Sequence, residues 1–183
     1  MKAGRVPTSC SDVGLRWFAF QTRPRAEKRV HALLRSTSFE SYLPIVERIS
    51  QWSDRKKRVE FPLFPGYVFC QVEREQISDV VRTTGIVDVV RIGGQATPVR
   101  DEELDSVRAL MEGANRTGTE VHPAHFLKPG EAVRVASGPF EGLEGTLTEE
   151  RGSLRVVVNI RTLRQAVGVQ MDRRHLVSAK EAP

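Results

Sequence analysis

Two alternating patterns, Glu131 to Val135 and Leu143 to Leu147, flank the stretch Ala136-Ser137-Gly138-Pro139-Phe140-Glu141-Gly142, and a further glycine, Gly145, lies inside the second pattern. Alternation with period two predicts strands. Glycine tolerates the positive φ of tight turns and bulges, and Pro139 presets one turn dihedral. Phe140 gives the turn an apolar plug. Pro129 and Gly130 upstream, and the β-branched run Val156-Val157-Val158 downstream, disfavour a helical alternative. The last third of the chain is therefore expected to be all-strand.

At 183 residues the chain can form one medium domain or two small ones, each with its own core. The stretch around Gly113 to Pro123 lacks apolar periodicity and reads as a linker. The expected organisation is a loose tail over 1–15, a mixed domain over 16–113, a linker over 114–126, a second domain over 127–178 and a tail over 179–183. Charge is uneven, at +7 for residues 1–60, −4 for 61–124 and +2 for 125–183. A basic first third beside an acidic middle suggests one face for phosphates and another for something else. Cys10 and Cys70 belong to no CxxC or Cys/His cluster, so neither a disulfide framework nor a zinc site is indicated. Cys70 reads as a buried strand residue. No apolar run approaches membrane-spanning length and residues 1–15 lack a secretory apolar core, so a cytoplasmic protein is expected.

Between residues 16 and 113 the periodicities give a strand at 16–21, a helix at 24–36, a strand at 39–46, a basic excursion, a strand at 66–73, a helix at 75–83, a strand at 86–92 and a helix at 101–112. The order βαββαβα is that of a ferredoxin-like α+β domain, with helices packed on one sheet face and the other left available. In the first helix, Ala26, Val30, Leu33 and Leu34 form the apolar stripe. Arg23, Arg25, Lys28 and Arg29 gather near its start, either as a solvated face or as a phosphate contact. The excursion adds Arg48, Arg55, Lys56, Lys57 and Arg58 around Trp52, which either stacks on an unpaired base or anchors the loop.

The stretch Phe61-Pro62-Leu63-Phe64-Pro65-Gly66-Tyr67-Val68-Phe69 delivers the chain into a strand through two prolines and a glycine. In that strand Tyr67, Phe69 and Gln71 share one face, and Val68, Cys70 and Val72 the other. One face is core. The other carries aromatics suited to a pocket for a partner helix, or to packing under a loop.

Several motifs occur in order: Trp17-Phe18-Ala19-Phe20, the basic helix from Arg23-Pro24-Arg25, Phe64-Pro65-Gly66-Tyr67-Val68-Phe69, Val90-Arg91-Ile92-Gly93-Gly94, and the glycine-spaced turn, which is similar to the KOW motif of SH3-like barrels. Together they resemble the NusG family of transcription elongation and antitermination factors over residues 16–178. The resemblance implies an NGN domain, a linker and a small SH3-like KOW β-barrel. It further implies an NGN domain that docks on the clamp helices of the largest RNA polymerase subunit, near the non-template DNA strand, and promotes processive elongation as a monomer. By matching position, Phe64, Pro65, Tyr67, Ile92 and Gln21 line the polymerase-facing pocket. Arg23, Arg25, Lys28 and Arg29, with Arg55, Lys56, Lys57 and Arg58, are the nucleic-acid candidates. Gly138, Pro139, Phe140, Gly142 and Gly145 form the KOW motif.

Housekeeping members carry Phe-Gly-Arg-x-Thr-Pro-Val in a loop used towards Rho and a ribosomal protein. Here Asn159 to Val167 has neither Phe-Gly nor Thr-Pro, which argues against contacts with Rho or the ribosome and for specialised paralogs of the RfaH and UpxY kind. Arg161, Leu163 and Arg164 form the candidate partner loop, with Leu163 expected to be exposed at its tip. His31, His122, His125 and His175 show no metal-ligand spacing, no nucleophile is paired with a base, and neither enzymatic activity nor a metal or other cofactor is expected. The rival reading is a KOW-type RNA-binding or ribosome-associated protein, against which the Phe64 to Phe69 pocket beside an acidic region argues.

Overall fold

The computed structural model describes residues 14–51, 56–124, 132–150, 153–172 and 175–179. Cys10, Trp52, Arg55 and His125 lie outside the described residues. Of Arg48, Lys56, Lys57 and Arg58 only the backbone is described.

Strand β1 (Arg16–Thr22) is central in a four-stranded sheet, paired antiparallel with β5 (Tyr67–Val72) on one side and β6 (Ile86–Val89) on the other, while β2 (Glu40–Tyr42) extends the sheet beyond β5. Because β1 and β5 alternate, the sheet has two apolar faces. Phe18, Phe20, Val68, Cys70 and Val72 bury on one, against Val30 and Leu34 of α1 (Glu27–Arg35) and Ile77 and Val80 of α2 (Ile77–Val81). Leu33, expected in the α1 stripe, is 36% exposed at its edge. A 3-10 turn at Arg74–Gln76 leads into α2.

Trp17, Ala19 and Phe69 bury on the opposite face, in one cluster with Leu104, Val107, Leu110, Met111 and Ala114 of α3 (Asp101–Thr117). The expectation of a sheet face left open is corrected here, since α3 covers it. Asp101, Glu102 and Glu103 occupy the first turn of α3, where the helix dipole favours anions, and Gly118 ends it in the left-handed region at φ +67.

The strand expected over 39–46 divides at Leu43-Pro44 into β2 and β3 (Ile45–Gln51), and β3 pairs with β4 (Lys56–Pro62) as a separate hairpin that carries the basic excursion. The strand expected over 86–92 likewise breaks into β6 and β7 (Arg91–Ile92), which pairs with β8 (Gln95–Ala96) across Gly93-Gly94.

The C-terminal unit is a six-stranded antiparallel sheet in the order β14-β10-β11-β12-β13-β9, built from β9 (His122–Ala124), β10 (Ala132–Val135), β11 (Glu144–Glu150), β12 (Ser153–Ile160), β13 (Gln165–Gln170) and β14 (Leu176–Ser178). Val133, Val135, Leu143, Val156, Val158, Ile160, Val167 and Val169 form its core. Gly138 and Gly142 take positive φ, at +92 and +83, as the turn requires. Gly145 answers a close approach instead, because a Cβ there lies 2.7 Å from the Val157 carbonyl oxygen across the sheet. The α+β architecture with a KOW-like β-domain thus holds.

The expected linker over 114–126 is corrected in two places. Residues 114–117 are the last turn of α3, and β9 pairs with β13 through Ala124 and Ala166, Pro123 and Val167, and His122 and Gly168. The two domains also pack on each other, and their apolar residues form one cluster through α3. Gly113 faces the Phe140 ring, Arg116 donates to the Pro139 carbonyl, and the Thr162 hydroxyl donates to the Pro98 carbonyl at 3.2 Å. Glu103 accepts the Arg161 backbone N–H at 3.2 Å and lies 3.5 Å from its guanidinium. Burial raises the Glu103 carboxyl from its ordinary value, and the Arg161 contacts oppose the rise.

Cys70 is buried as expected, and desolvation, with Glu40 adding to it, pushes its thiol up to about 12. The thiolate is the nucleophile in alkylation. The folded protein is expected to leave Cys70 unlabelled by iodoacetamide at pH 8 while in urea-unfolded chain it labels fully, as read by peptide mass mapping, which separates it from Cys10. Prompt labelling of Cys70 in the folded chain contradicts this burial.

Candidate protein and nucleic-acid interface

The turn before β5 begins with Leu63, whose N–H bonds the Pro44 carbonyl at 2.8 Å, and closes where the Tyr67 N–H reaches the Phe64 carbonyl at 3.2 Å. Gly66 takes φ +84, a conformation that side-chain-bearing residues rarely adopt. This geometry sends Pro65 into solvent and turns Phe64 inward. Pro65 is exposed, Tyr67 half-buried, and Phe64 only 1% exposed, packed edge-on against Phe69 with ring centroids 5.7 Å apart. The expectation that Phe64 lines an accessible pocket is therefore corrected, since in this conformation it is core.

Gln21 lies directly across from Tyr67 in the β1–β5 register and across from Asp88 on the other side. The structure thus brings Gln21, Pro65 and Tyr67 to one end of the sheet. Ile92 stands on the β7–β8 hairpin and is 54% exposed. The hairpin starts just after Val90, whose N–H bonds the Ala19 carbonyl at 2.8 Å.

The loop that opens the first basic group lies beside the turn. Arg23, Arg25, Lys28 and Arg29 are all exposed. The loop is anchored by Thr22 N–H to the Gly66 carbonyl and Arg23 N–H to the Gly85 carbonyl, each at 2.8 Å. Arg25 adopts φ +63, so the loop holds a non-glycine residue in the left-handed region. Lys28 pairs with Glu60 of β4 at 2.7 Å, which joins α1 to the basic hairpin. Both partners are about half exposed, so the pair adds little stability.

Sequence reasoning missed an aromatic and cation group on the α3 face. The Arg108 guanidinium lies 5.0 Å from the Trp17 ring centroid and 5.1 Å from that of Tyr42, and Asp105 holds it at 2.6 Å. Burial pushes the Tyr42 phenol up to about 12. No local pattern announces this group, which exists only because α3 folds back over β1 and β2. A cleft of about 490 Å³ opens nearby, between β3, β4 and the end of α3, with Val46, Met111 and Val121 in its floor and Glu47, Glu60 and Glu120 at its rim. Neither Phe64 nor Tyr67 lines it.

In the C-terminal domain the turn after β12 differs from expectation. Leu163 is 9% exposed and belongs to the apolar cluster, so its expected exposure is corrected. The reversal is tight, with Leu163 N–H on the Ile160 carbonyl and Arg164 N–H on the Arg161 carbonyl at 3.1 Å each, and Arg164 takes φ +52. That turn tucks Leu163 inward and leaves Arg161 and Arg164 exposed, with Arg161 directed at Glu103.

Among the described residues no three His, Cys, Asp or Glu side chains are placed to hold a metal ion, and no helix is long and apolar enough to cross a membrane. The chain is an α+β domain with an exposed basic loop and an aromatic turn, joined to a small β-domain. A family model described as "Transcription termination factor nusG" matches residues 15–108. The chain is 32% identical to the transcription termination/antitermination protein NusG of Thermus thermophilus, over 81% of this chain and 91% of that one. It is 29% identical to the NusG of Escherichia coli K12, over 86% of this chain and 92% of the relative. A solved structure titled "Domain interaction in Thermotoga maritima NusG" is 26% identical, covers 90% of this chain and 97% of its own, and superposes with a TM-score of 0.47. This chain belongs to the NusG family of transcription factors.

Proposed function

We propose that the protein is a transcription elongation and antitermination factor whose N-terminal domain docks on the clamp helices of the largest RNA polymerase subunit. Pro65 and Tyr67, with Gln21 beside them and Ile92 on the adjacent hairpin, make the protein contact. Phe64 supports that surface from beneath. Arg23, Arg25, Lys28 and Arg29 face the non-template strand, with Arg55, Lys56, Lys57 and Arg58 of the β3–β4 hairpin as further candidates. The observation that carries the reading is the bonding of the Pro65-Gly66 turn to the loop that bears the exposed cations, which puts an apolar and a polycationic surface side by side. We further place the protein with the operon-selective antiterminators, since Asn159 to Val167 carries neither Phe-Gly nor Thr-Pro.

Binding of the full-length chain to bacterial RNA polymerase tests the reading. The wild type is expected to bind and Tyr67→Ala plus Ile92→Ala to lose most of that binding while remaining folded. Absence of wild-type binding, alongside tight binding to structured RNA, turns the reading to the RNA-binding alternative. If three to five cations grip single-stranded phosphates, log affinity for a non-template oligonucleotide falls against log salt with a slope of roughly −2 to −3.5. A slope near zero removes the cations from the strand contact.

A further inference from the structure

Glu27 is a charged residue left only 6% exposed, in the first turn of α1 and surrounded in sequence by solvent-facing cations. Its carboxylate Oε1 accepts the backbone N–H of Gly66 at 2.8 Å, across 39 residues of chain. The Gly66 carbonyl in turn accepts the Thr22 N–H at 2.8 Å. The same glycine is therefore held through both of its backbone polar groups by residues on either side of the Arg23-Pro24-Arg25 loop. A hydrogen bond to an ionised acceptor is roughly twice as strong as a neutral one, and burial excludes the water that competes for it.

We propose that Glu27 is a positioning residue that fixes the Pro65–Tyr67 turn relative to the basic loop, so that protein and nucleic-acid contacts are made together. This rests on the polymerase-docking reading above. The argument is geometric. Pro65 is exposed and Gly66 has no side chain to pack, so side-chain packing does not fix the middle of this turn. Its two long-range backbone hydrogen bonds, to Glu27 and to Thr22, set its place. The loop opposite is itself held off the usual conformational minima at Arg25, with φ +63. Two surfaces held at a fixed separation bind a two-part target with the second contact intramolecular, and a floating turn forfeits that gain. Glu27 acts through Gly66 and touches neither partner.

Binding is measured with full-length protein and bacterial RNA polymerase on two scaffolds, one with a complete transcription bubble and one lacking the non-template strand. Amide exchange of the free protein is followed by NMR in parallel. In Glu27→Ala, the Gly66 amide is expected to exchange at least about tenfold faster while the Phe20 and Val68 amides, which face each other across the β1–β5 ladder, stay protected. Affinity for the complete bubble falls on the order of tenfold, to near the value without the non-template strand, the equivalent of losing one charge-assisted hydrogen bond. Glu27→Gln keeps an acceptor and restores affinity to within about threefold of wild type. If the alanine variant does not fold, Glu27→Met, similar in volume and with only a weakly accepting thioether, replaces it. Wild-type affinity in a variant whose Gly66 amide has been released overturns the proposal, as do an unchanged Gly66 exchange rate and a glutamine variant as weak as alanine. Failure of the wild type to bind polymerase, or indifference to Tyr67→Ala, brings down the docking reading instead, and the exchange result then reports only on the turn.

Discussion

Phe64→Ala is expected to destabilise the N-terminal domain by about 3–5 kcal/mol, the range for removing a buried phenylalanine without full collapse of the cavity. Phe64 is 1% exposed and set edge-on against Phe69, which is fully buried beneath α3. An edge-to-face pair contributes beyond its buried area. The check is a urea titration followed by tryptophan fluorescence, in which the midpoint falls and the slope stays constant. A midpoint within error of wild type, with weakened polymerase binding, instead makes Phe64 a surface contact. The distinction matters for mutagenesis, because a loss of function in Phe64→Ala on its own reports a damaged core. Tyr67, Ile92 and Gln21 are the positions from which docking is read cleanly.

Gly113→Ala is expected to loosen the β-domain from α3. A Cβ at this position lies 2.6 Å from the Pro139 carbonyl oxygen and runs into the Phe140 ring. Backbone has little room to yield, and overpacking of this kind costs about 1–3 kcal/mol. The neighbouring bond from Arg116 to the same carbonyl must shift as well. The intact N-terminal core does not depend on this contact, so the cost falls on domain docking, with altered NMR shifts along α3 and through Ser137 to Gly142. Phe140→Ala removes the obstructing ring but leaves the Pro139 carbonyl in place, so in that background Gly113→Ala is expected to cost less while keeping part of its penalty. Equal costs in both backgrounds contradict the contact, since neighbouring residues that truly touch are non-additive.

Much of this fold was legible from periodicity. The βαββαβα order, the burial of Cys70 and the positive-φ turn at Gly138 and Gly142 all follow from residue type and spacing. Two breaks also had visible signals, Pro44 between β2 and β3, and Gly93-Gly94 between β7 and β8. What local pattern does not carry is which apolar face another element covers. Tyr67 and Phe69 were assigned correctly to one face, but alternation says nothing of the α3 residues that bury Phe69 and of the inward turn of Phe64. Leu163 failed for the same reason, since a residue between two arginines at a hairpin tip looks exposed until the tight turn swings it into the core. The apparent linker was misjudged because Ala114 is buried and His122 to Ala124 pair with a strand over forty residues away. The candidate site divides in the same way. Its exposed cations are plain in the sequence, whereas nothing local marks Glu27, whose partner is a backbone amide 39 residues away.

With β9 belonging to the C-terminal sheet, the stretch between helix and sheet shrinks to residues 118–121, and Val121 is itself buried. Four residues, even fully drawn out, reach about 14 Å, against about 45 Å for the thirteen of a free tether. The β-domain is on a short leash. To leave α3 it must break the contacts made at Phe140, Thr162 and Arg161, and to travel farther than these four residues reach it must also peel the three-residue edge strand β9 from β13.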